Sequence, residues 1–344
     1  MLMNDFFERD DNQRRRVIDQ TAIKIGLPEQ AVEKDLWVTT MLQVVFSMPY
    51  ADKILFKGGS SLAKIGHLIS RFSEDIDLAF DRSLFGITGD IGSKLLKKLR
   101  KGSSTFVRDN FAPTFEATLA SYGLDKFCSV HVEPDGEGDA TYPEPRKVYI
   151  TYKSVYSDKL PYLLPEVVLE VGARSLFEPA EKARVTSIIH DTLGIVTDID
   201  DVEITAATPG KTFLEKAFLL HEIFSTGNCA NAARRTRHMY DLEKMMDLPL
   251  ADAAVKDSHL WETIRHHRET FTHIRDVDYS PDVRSRLRLT PPDEFLAEWR
   301  RDYQAMTEAM MYGEKQEFDI LLERMKELEQ RFKIQAAIDL ANKD

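Results

Sequence analysis

Cysteine is nearly missing from this chain. Only Cys128 and Cys229 occur in 344 residues, far apart and without metal-type spacing, which excludes a disulfide framework and points to a reducing compartment. A long apolar run is missing too: the most apolar early stretch, MLQVVF, is far short of a bilayer span. The opening MLMNDFFERDD is too acidic for a secretory signal. The expectation is a cytoplasmic protein with no membrane partner. Positive charge is in deficit, 46 Lys and Arg against 57 Asp and Glu for a formal net charge of −11. That argues against nonspecific coating of nucleic acid but leaves room for a local basic groove. The histidines lack zinc spacing, since His266 and His267 are adjacent and diverge around a helix. There is no internal repeat and no low-complexity tract.

What is present suffices for a large core, and with 43% apolar residues for two of them. Residues 11–48 carry helical periodicity with a break at Pro28, and ADKILFK is a short buried strand leading to Gly58. A brief helix from Ser60 to about Ser70 precedes the strand SEDIDLAF and the turn-rich loop DRSLFGITGD. Residues 91–122 form a charged helical excursion. Strands return in KFCSVHVEP, RKVYITYKSVY, PEVVLEVGARS, ARVTSIIH and DVEITAAT, with the polar loop PDGEGDATYPEP as the best candidate for a mobile segment. From Pro209 on, every segment carries a helical apolar stripe. The expected division is an α/β domain over 1–208, with N-terminal helices, and a helical domain over 209–344.

The segment FKGGSSLAKIGHLISRFSEDIDLAF, Phe56 to Phe80, carries the chemistry. Asp75 and Asp77, two apart on a strand, project from one face, while Ile76, Leu78 and Phe80 supply the other. Two like charges held that close call for a cation, and carboxylates suit Mg²⁺ or Mn²⁺. The Gly58-Gly59-Ser60 turn, between Lys57 and Ser61, bares N–H groups at a helix start, where phosphate binds. Glu170 in VVLEVGA, an acid in a run built for burial, is the nominee for a third carboxylate. Glu166, at the exposed start of that strand, ranks below it. A triphosphate grip beside paired metal-binding acids is what nucleotidyl transfer requires.

These residues resemble a known family. KGGSSLAK…RFSEDIDL resembles the first motif of the AbiEii/AbiGii-type nucleotidyltransferases, toxins of type IV toxin–antitoxin systems that include the MenT toxins. VEKDLWVTTML resembles the helix before that motif, FLEKAFLLHEIF the lysine-bearing second motif, and RTRHMYDLEKM the last aspartate motif. The likeness runs in order from about residue 30 to 247 and leaves the helical C-terminus uncovered.

The resemblance implies an α+β fold: a polymerase-β-like nucleotidyltransferase core with a mixed sheet, followed by an all-helical C-terminal domain. It implies that Gly59 and Ser60 hold the triphosphate, that Asp75 and Asp77 bind Mg²⁺, that Lys216 neutralises phosphate charge, and that Asp241 completes the site from the helical half. The implied reaction is transfer of NMP from an NTP to RNA, at the 3′ end of tRNA, blocking translation, with a cognate antitoxin as partner. The alternatives are transfer to a protein, such as that antitoxin, and a nucleotide-binding module without transferase activity.

Each residue also has a plainer reading. Asp75 and Asp77 would be solvated acids if their strand lay at a sheet edge, and Lys216 a solvated lysine on an amphipathic helix. Asp241 would be a surface acid or a partner of neighbouring arginines. Glu170 would be a buried acid satisfied by Arg174 or Arg146. Arg234, Arg235, Arg237 and His238 cluster before Asp241 and are the favoured RNA contacts. Arg265 to Arg268 form another group, and Arg284, Arg286 and Arg288 would share a side if VRSRLRL were extended.

Overall fold

The computed structural model describes residues 6–342 except 74, 90, 139–140, 158–162, 195–201 and 313. Two compact units emerge. One comprises Met1–Gly66 with Phe72–Ala207, the other His67–Arg71 with Thr208–Asp344.

The first unit is a seven-stranded mixed sheet with helices. Two helices lead, α1 (Asp11–Ile25) and α2 (Glu29–Phe46), separated by Gly26 in the left-handed region and Pro28 ahead of α2. Strand β1 (Ile54–Lys57) runs directly into α3 (Gly58–Lys64), and β2 (Asp75–Phe80) follows. Helices α4 (Ser93–Phe106) and α5 (Ala112–Ser121) are joined by a π-helical stretch, Val107–Phe111. Then come β3 (Cys128–Val132), β4 (Arg146–Tyr152), β5 (Glu166–Gly172), β6 (Ala180–Val185), α6 (Ile188–Leu193) and β7 (Val202–Ala207). The sheet order is β3-β4-β5-β2-β1-β7-β6. β2 is therefore central, parallel to β5 and antiparallel to β1. Alternation along β2, β4 and β5 sends Ile76, Leu78, Val148, Ile150, Val167 and Leu169 into the core. Among the core aromatics, Trp37 of α2 stacks on Tyr152 at 4.9 Å.

Two expectations change here. The helix after Gly58 stops at Lys64 rather than near Ser70, because residues 67–71 pack with the other unit. ARVTSIIH is not one strand: β6 ends at Val185, Ser187 caps α6 by accepting from the His190 N–H, and IIH is helical. The flanks of the PDGEGDATYPEP loop are tied down by Asp135 on Arg146 and by Glu144 on the Ala173 N–H. Residues 139–140 of that loop lie outside the described residues.

The second unit is helical, with α7 (Pro209–Phe224), α8 (Thr236–Met245), α9 (Pro249–Lys256), α10 (Ser258–Phe271), α11 (Leu296–Ala309) and α12 (Phe318–Ala341). Its core stacks Phe218 on Trp261 at 4.4 Å, with Phe332 of α12 against the same indole at 5.4 Å. The 67–71 strap joins it by backbone: the Tyr312 N–H donates to the Ser70 carbonyl at 3.1 Å, and Arg71 bridges Met311. VRSRLRL is not extended, since Val283–Arg286 is a 3-10 turn. Arg284 is buried on Asp339 while Arg286 pairs with Asp278 and Asp282, so these arginines share no exposed side.

Candidate active site

The two acids of the DID segment stand in the middle of the sheet. Asp77 lies opposite Glu170 of β5 and opposite Lys57 of β1, and Glu170 lies opposite Lys147 of β4. Residues in register share a face, so one row across four strands reads Lys147, Glu170, Asp77, Lys57. Asp75 sits one pleat along on the same face, beside Val168. The central position of β2 removes the edge-strand reading of this pair.

Glu170 has a partner the sequence did not suggest. Lys147 Nζ lies 2.9 Å from Glu170 Oε1. That hydrogen bond, more than the opposing effect of partial burial, raises the Lys147 pKa, and Asp75 contributes at longer range. Arg146, by contrast, is buried on the core face and bonds Ser104, Asp135 and the Glu133 carbonyl. Arg174 feels Glu144. The pairing follows from parity, since Arg146 and Lys147 point to opposite faces of β4 and only Lys147 shares the face of Glu170.

Gly58 lets the glycine turn lie directly against the DID segment. Its φ is +80°, and an added β-carbon would overlap Asp77 Oδ2 and lie 3.1 Å from Cγ. The Asp77 carboxylate thus rests against the bare α-carbon where β1 turns into α3. Any side chain there would meet both backbone strain and the carboxylate. Ser60 and Ser61 are buried. Ser60 Oγ donates to the Asp75 carbonyl and lies 2.9 Å from Ser73 Oγ, while Ser61 Oγ donates to the Gly58 carbonyl at 2.8 Å. Ser60 therefore holds the turn against β2, and Ser61 closes the turn on itself. Lys64, at the end of α3, turns its side chain inward and pairs with Asp35 of α2 at 2.6 Å, with a further bond to Thr39 Oγ1 at 2.7 Å. Asp35 also accepts from the Ile188 N–H at 2.7 Å. Of the acids of VEKDLW, Asp35 thus anchors the turn-bearing helix, whereas Glu33 accepts from the Val155 N–H at 2.8 Å and ties α2 to the segment after β4.

The donor chemistry fits Mg²⁺. Mg²⁺ is commonly held by one or two carboxylates with substrate phosphates and water completing its octahedron, and the Asp75–Asp77 face supplies two. Among the described residues no group of three or more His, Cys, Asp or Glu is arranged to hold a metal ion, and Glu170 is engaged by Lys147. The acids next to the glycine turn thus offer two carboxylates on one face, with Glu170 in the adjacent register position.

In the second unit, Lys216 of α7 and Asp241 of α8 meet directly, Nζ to Oδ2 at 2.8 Å. Asp241 is fully buried, and Arg71 of the 67–71 strap grips it from its other side. Burial would push the Asp241 carboxyl up, but Arg71 and Lys216 together outweigh it and hold the acid well below its ordinary range. Burial pushes the Lys216 ammonium down and Asp241 opposes this, while Arg71 and Arg237 add to the depression. Asp241 is thus no surface acid, and its partners are Arg71 and Lys216. Two cations on one buried carboxylate leave a net positive charge.

The group before Asp241 divides. Asp302 of α11 fixes its backbone, accepting from the Arg234 N–H at 2.6 Å and from Thr236 N–H and Oγ1 at 3.0 and 2.6 Å. The Arg234 side chain is exposed, whereas Arg235 and Arg237 are half-buried. Burial, with Lys216 and Arg237 nearby, holds His238 well below the ordinary histidine range. Arg265 and Arg268 are spent on Glu262, Glu269 and Glu222.

Sequence reasoning passed over Arg71, Lys147, Lys64 and Asp35. Arg71 lies within the RFSEDIDL motif, and charged residues inside the apolar VEKDLWVTT helix were a signal that buried partners exist. Lys147 left no such signal.

A family model described as the nucleotidyl transferase AbiEii toxin of type IV toxin–antitoxin systems matches residues 43–324. The match leaves out VEKDLWVTTML and reaches well into the helical C-terminus that the motifs did not cover. No curated protein matches the sequence significantly. Among solved structures, the chain is similar in fold to MenT4, the nucleotidyltransferase toxin Rv2826c from Mycobacterium tuberculosis H37Rv. The TM-score is 0.50 at 15% identity, over 92% of this chain and 89% of that one. With the family matched over most of its length, this chain belongs to the AbiEii nucleotidyltransferase toxins of type IV toxin–antitoxin systems.

Proposed function

We propose that the protein transfers NMP from an NTP to the 3′ end of an RNA, with tRNA as acceptor, and that Asp75 and Asp77 serve the reaction as Mg²⁺ ligands. The observation that carries this reading is the Asp77 carboxylate resting on Gly58, at the head of α3, with Asp75 beside it on the central strand. Asp75 and Asp77 would hold a divalent ion there, and it would supply positive charge to offset the negative charge developing as the α-phosphate is attacked. The Lys57 to Ser61 turn positions the triphosphate, with Ser60 and Ser61 keeping the turn in shape. The family resemblance gives Lys216 the task of offsetting phosphate charge. The net positive charge it shares with Arg71 and Asp241 suits that task. Glu170, held by Lys147, orients the charge beside Asp77 rather than closing a cage, and membership in this toxin family implies an antitoxin as partner.

The test is incubation of purified protein with labelled NTPs, Mg²⁺ or Mn²⁺, and total tRNA. RNA acquires label at its 3′ end, and Asp77→Ala abolishes this together with growth inhibition. No RNA labelling with any of the four nucleotides, by protein that binds NTP, overturns the acceptor assignment. Label appearing on a protein instead moves the acceptor to that class. Toxicity that survives Asp77→Ala removes the metal chemistry from the mode of action.

A further inference from the structure

Helix α4 is a basic island in an acidic protein. Between residues 93 and 108 the sequence holds six cations, Lys94, Lys97, Lys98, Arg100, Lys101 and Arg108, and no acid, against a net charge of −11 for the whole chain. Lys94, Lys97, Lys98 and Lys101 recur at the i, i+3, i+4, i+7 spacing of one helix face, and all four are exposed. Among the described residues none of the four is held in an ion pair, although Lys101 lies over the Tyr142 ring at 5.2 Å. Arginines of the stretch are used internally: Arg100 donates to the Tyr142 carbonyl, and Arg108 pairs with Asp109 and Asp135. The lysines alone are left facing solvent.

We propose that this lysine face docks the sugar–phosphate backbone of RNA. Most of the apolar side of α4 is consumed, and a single exposed leucine, Leu95 at 41%, is too little apolar surface for a membrane-lying helix. Leu99 is fully buried, and Phe106 packs on Phe80 and Phe85 at 5.3 and 5.7 Å. What remains is a row of point charges spanning about 10 Å at the helical rise of 1.5 Å per residue, with no aromatic between them to stack a base. Such a row attracts a regular polyanion without reading its sequence. Phe106 and Phe80 meet on the core side of β2, opposite the face of Asp75 and Asp77. The lysine row therefore binds RNA at a distance from the carboxylates, as a hold on the body of the acceptor. The inference rests on the RNA acceptor reading for its biological meaning but not for the binding itself.

The experiment compares three forms of the full chain: wild type, the quadruple variant Lys94→Gln, Lys97→Gln, Lys98→Gln, Lys101→Gln, and a charge-matched control. The control carries Lys53→Gln, Lys126→Gln, Lys256→Gln and Lys326→Gln, lysines that each sit in an ion pair of their own. Binding of a labelled tRNA is followed by fluorescence anisotropy from 50 to 200 mM salt. The quadruple variant is expected to bind about tenfold or more weakly at low salt. Its plot of log affinity against log salt becomes shallower by about 3, from a loss of roughly 0.7–0.9 per phosphate contact. The control keeps the wild-type slope, and in the labelling assay the quadruple variant raises KM for RNA and leaves kcat near wild type. Equal slopes in all three forms overturn the proposal. So does a loss confined to phosphatidylserine vesicles or to polyglutamate, which would assign the face to a membrane or an acidic protein. Wild-type protein that binds RNA through α4 yet never labels it refutes the acceptor reading and supports this one.

Discussion

Arg71 holds Asp241 with both arms of its guanidinium, Nε to Oδ1 at 2.6 Å and Nη2 to Oδ2 at 2.8 Å, where neither side chain is exposed to water. A bidentate grip of this kind fixes the carboxylate plane, and Lys216 takes its place from that plane. Arg71 is thereby a positioning residue for Lys216. Arg71→Lys keeps the charge but loses the fork, so transfer falls by about tenfold or more while NTP binding persists. Arg71→Met leaves a buried pair broken and costs about 3–5 kcal/mol. Urea midpoints and labelling rates measured on both variants separate positioning from stability. Equal activity in Arg71→Lys and wild type would show that the fork is dispensable.

Asp241 also makes a pH prediction. Its folded-state pKa lies below the ordinary carboxylate value, so its stabilising contribution is complete above about pH 4 and is lost as pH falls through the lower, folded value. Urea midpoints recorded between pH 2 and 6 decline toward the acid end in wild type. In Asp241→Asn, already destabilised by the unpaired cations, that part of the decline is missing.

Glu144 gives the opposite sign. Burial, partly offset by the Ala173 and Arg174 N–H groups, pushes its carboxyl up to about 7. The stability it favours is present below the unfolded value of 4.5 and is lost as pH rises through about 7. Glu144→Gln keeps an acceptor for the Ala173 N–H, so it matches wild type at pH 5 and exceeds it at pH 8. A variant no better than wild type at pH 8 in urea titration contradicts the assignment.

Gly58→Ala tests the contact beneath the carboxylate. The left-handed φ alone costs about 1–2 kcal/mol, and the methyl also displaces Asp77. Transfer is lost even in protein that remains folded by circular dichroism, whereas Gly86→Ala, with an open surround at a similar φ, costs stability without abolishing transfer. Retained activity in Gly58→Ala would mean that Asp77 does not act from the position seen here.

Glu170→Gln and Lys147→Met distinguish a cage from a brace. The pair is partly exposed, so each substitution changes stability by about 1 kcal/mol or less. A brace predicts that both lower transfer to a similar extent, with the Mg²⁺ concentration for half-maximal rate little changed. A metal ligand at Glu170 predicts a large shift in that concentration for Glu170→Gln alone.

Much of the first unit was legible because its rules are local. Period-two alternation exposed β2, β4 and β5, and the same alternation put Asp75 and Asp77 on one face after the glycine turn. The failures were equally physical. ARVTSIIH has strand-like residues throughout, yet the Ser187 cap redirects it. VRSRLRL alternates like a strand, but the burial of Arg284 on Asp339 closes it into a turn. Neither a cap geometry nor a distant acid is written into residue type.

By itself the sequence determined the chemistry on offer: two same-face acids, a glycine corner, a lysine and an aspartate on helices, and a lysine-rich stretch. Only tertiary structure decided who neutralises whom. Lys147 rather than an arginine meets Glu170, Arg71 crosses 170 residues of chain to reach Asp241, and β2 lies at the centre of the sheet rather than its edge. The reason is that facing and alternation depend on neighbours along the chain, whereas a charged partner is set by strand order and helix docking, which bring together residues with no relation in sequence.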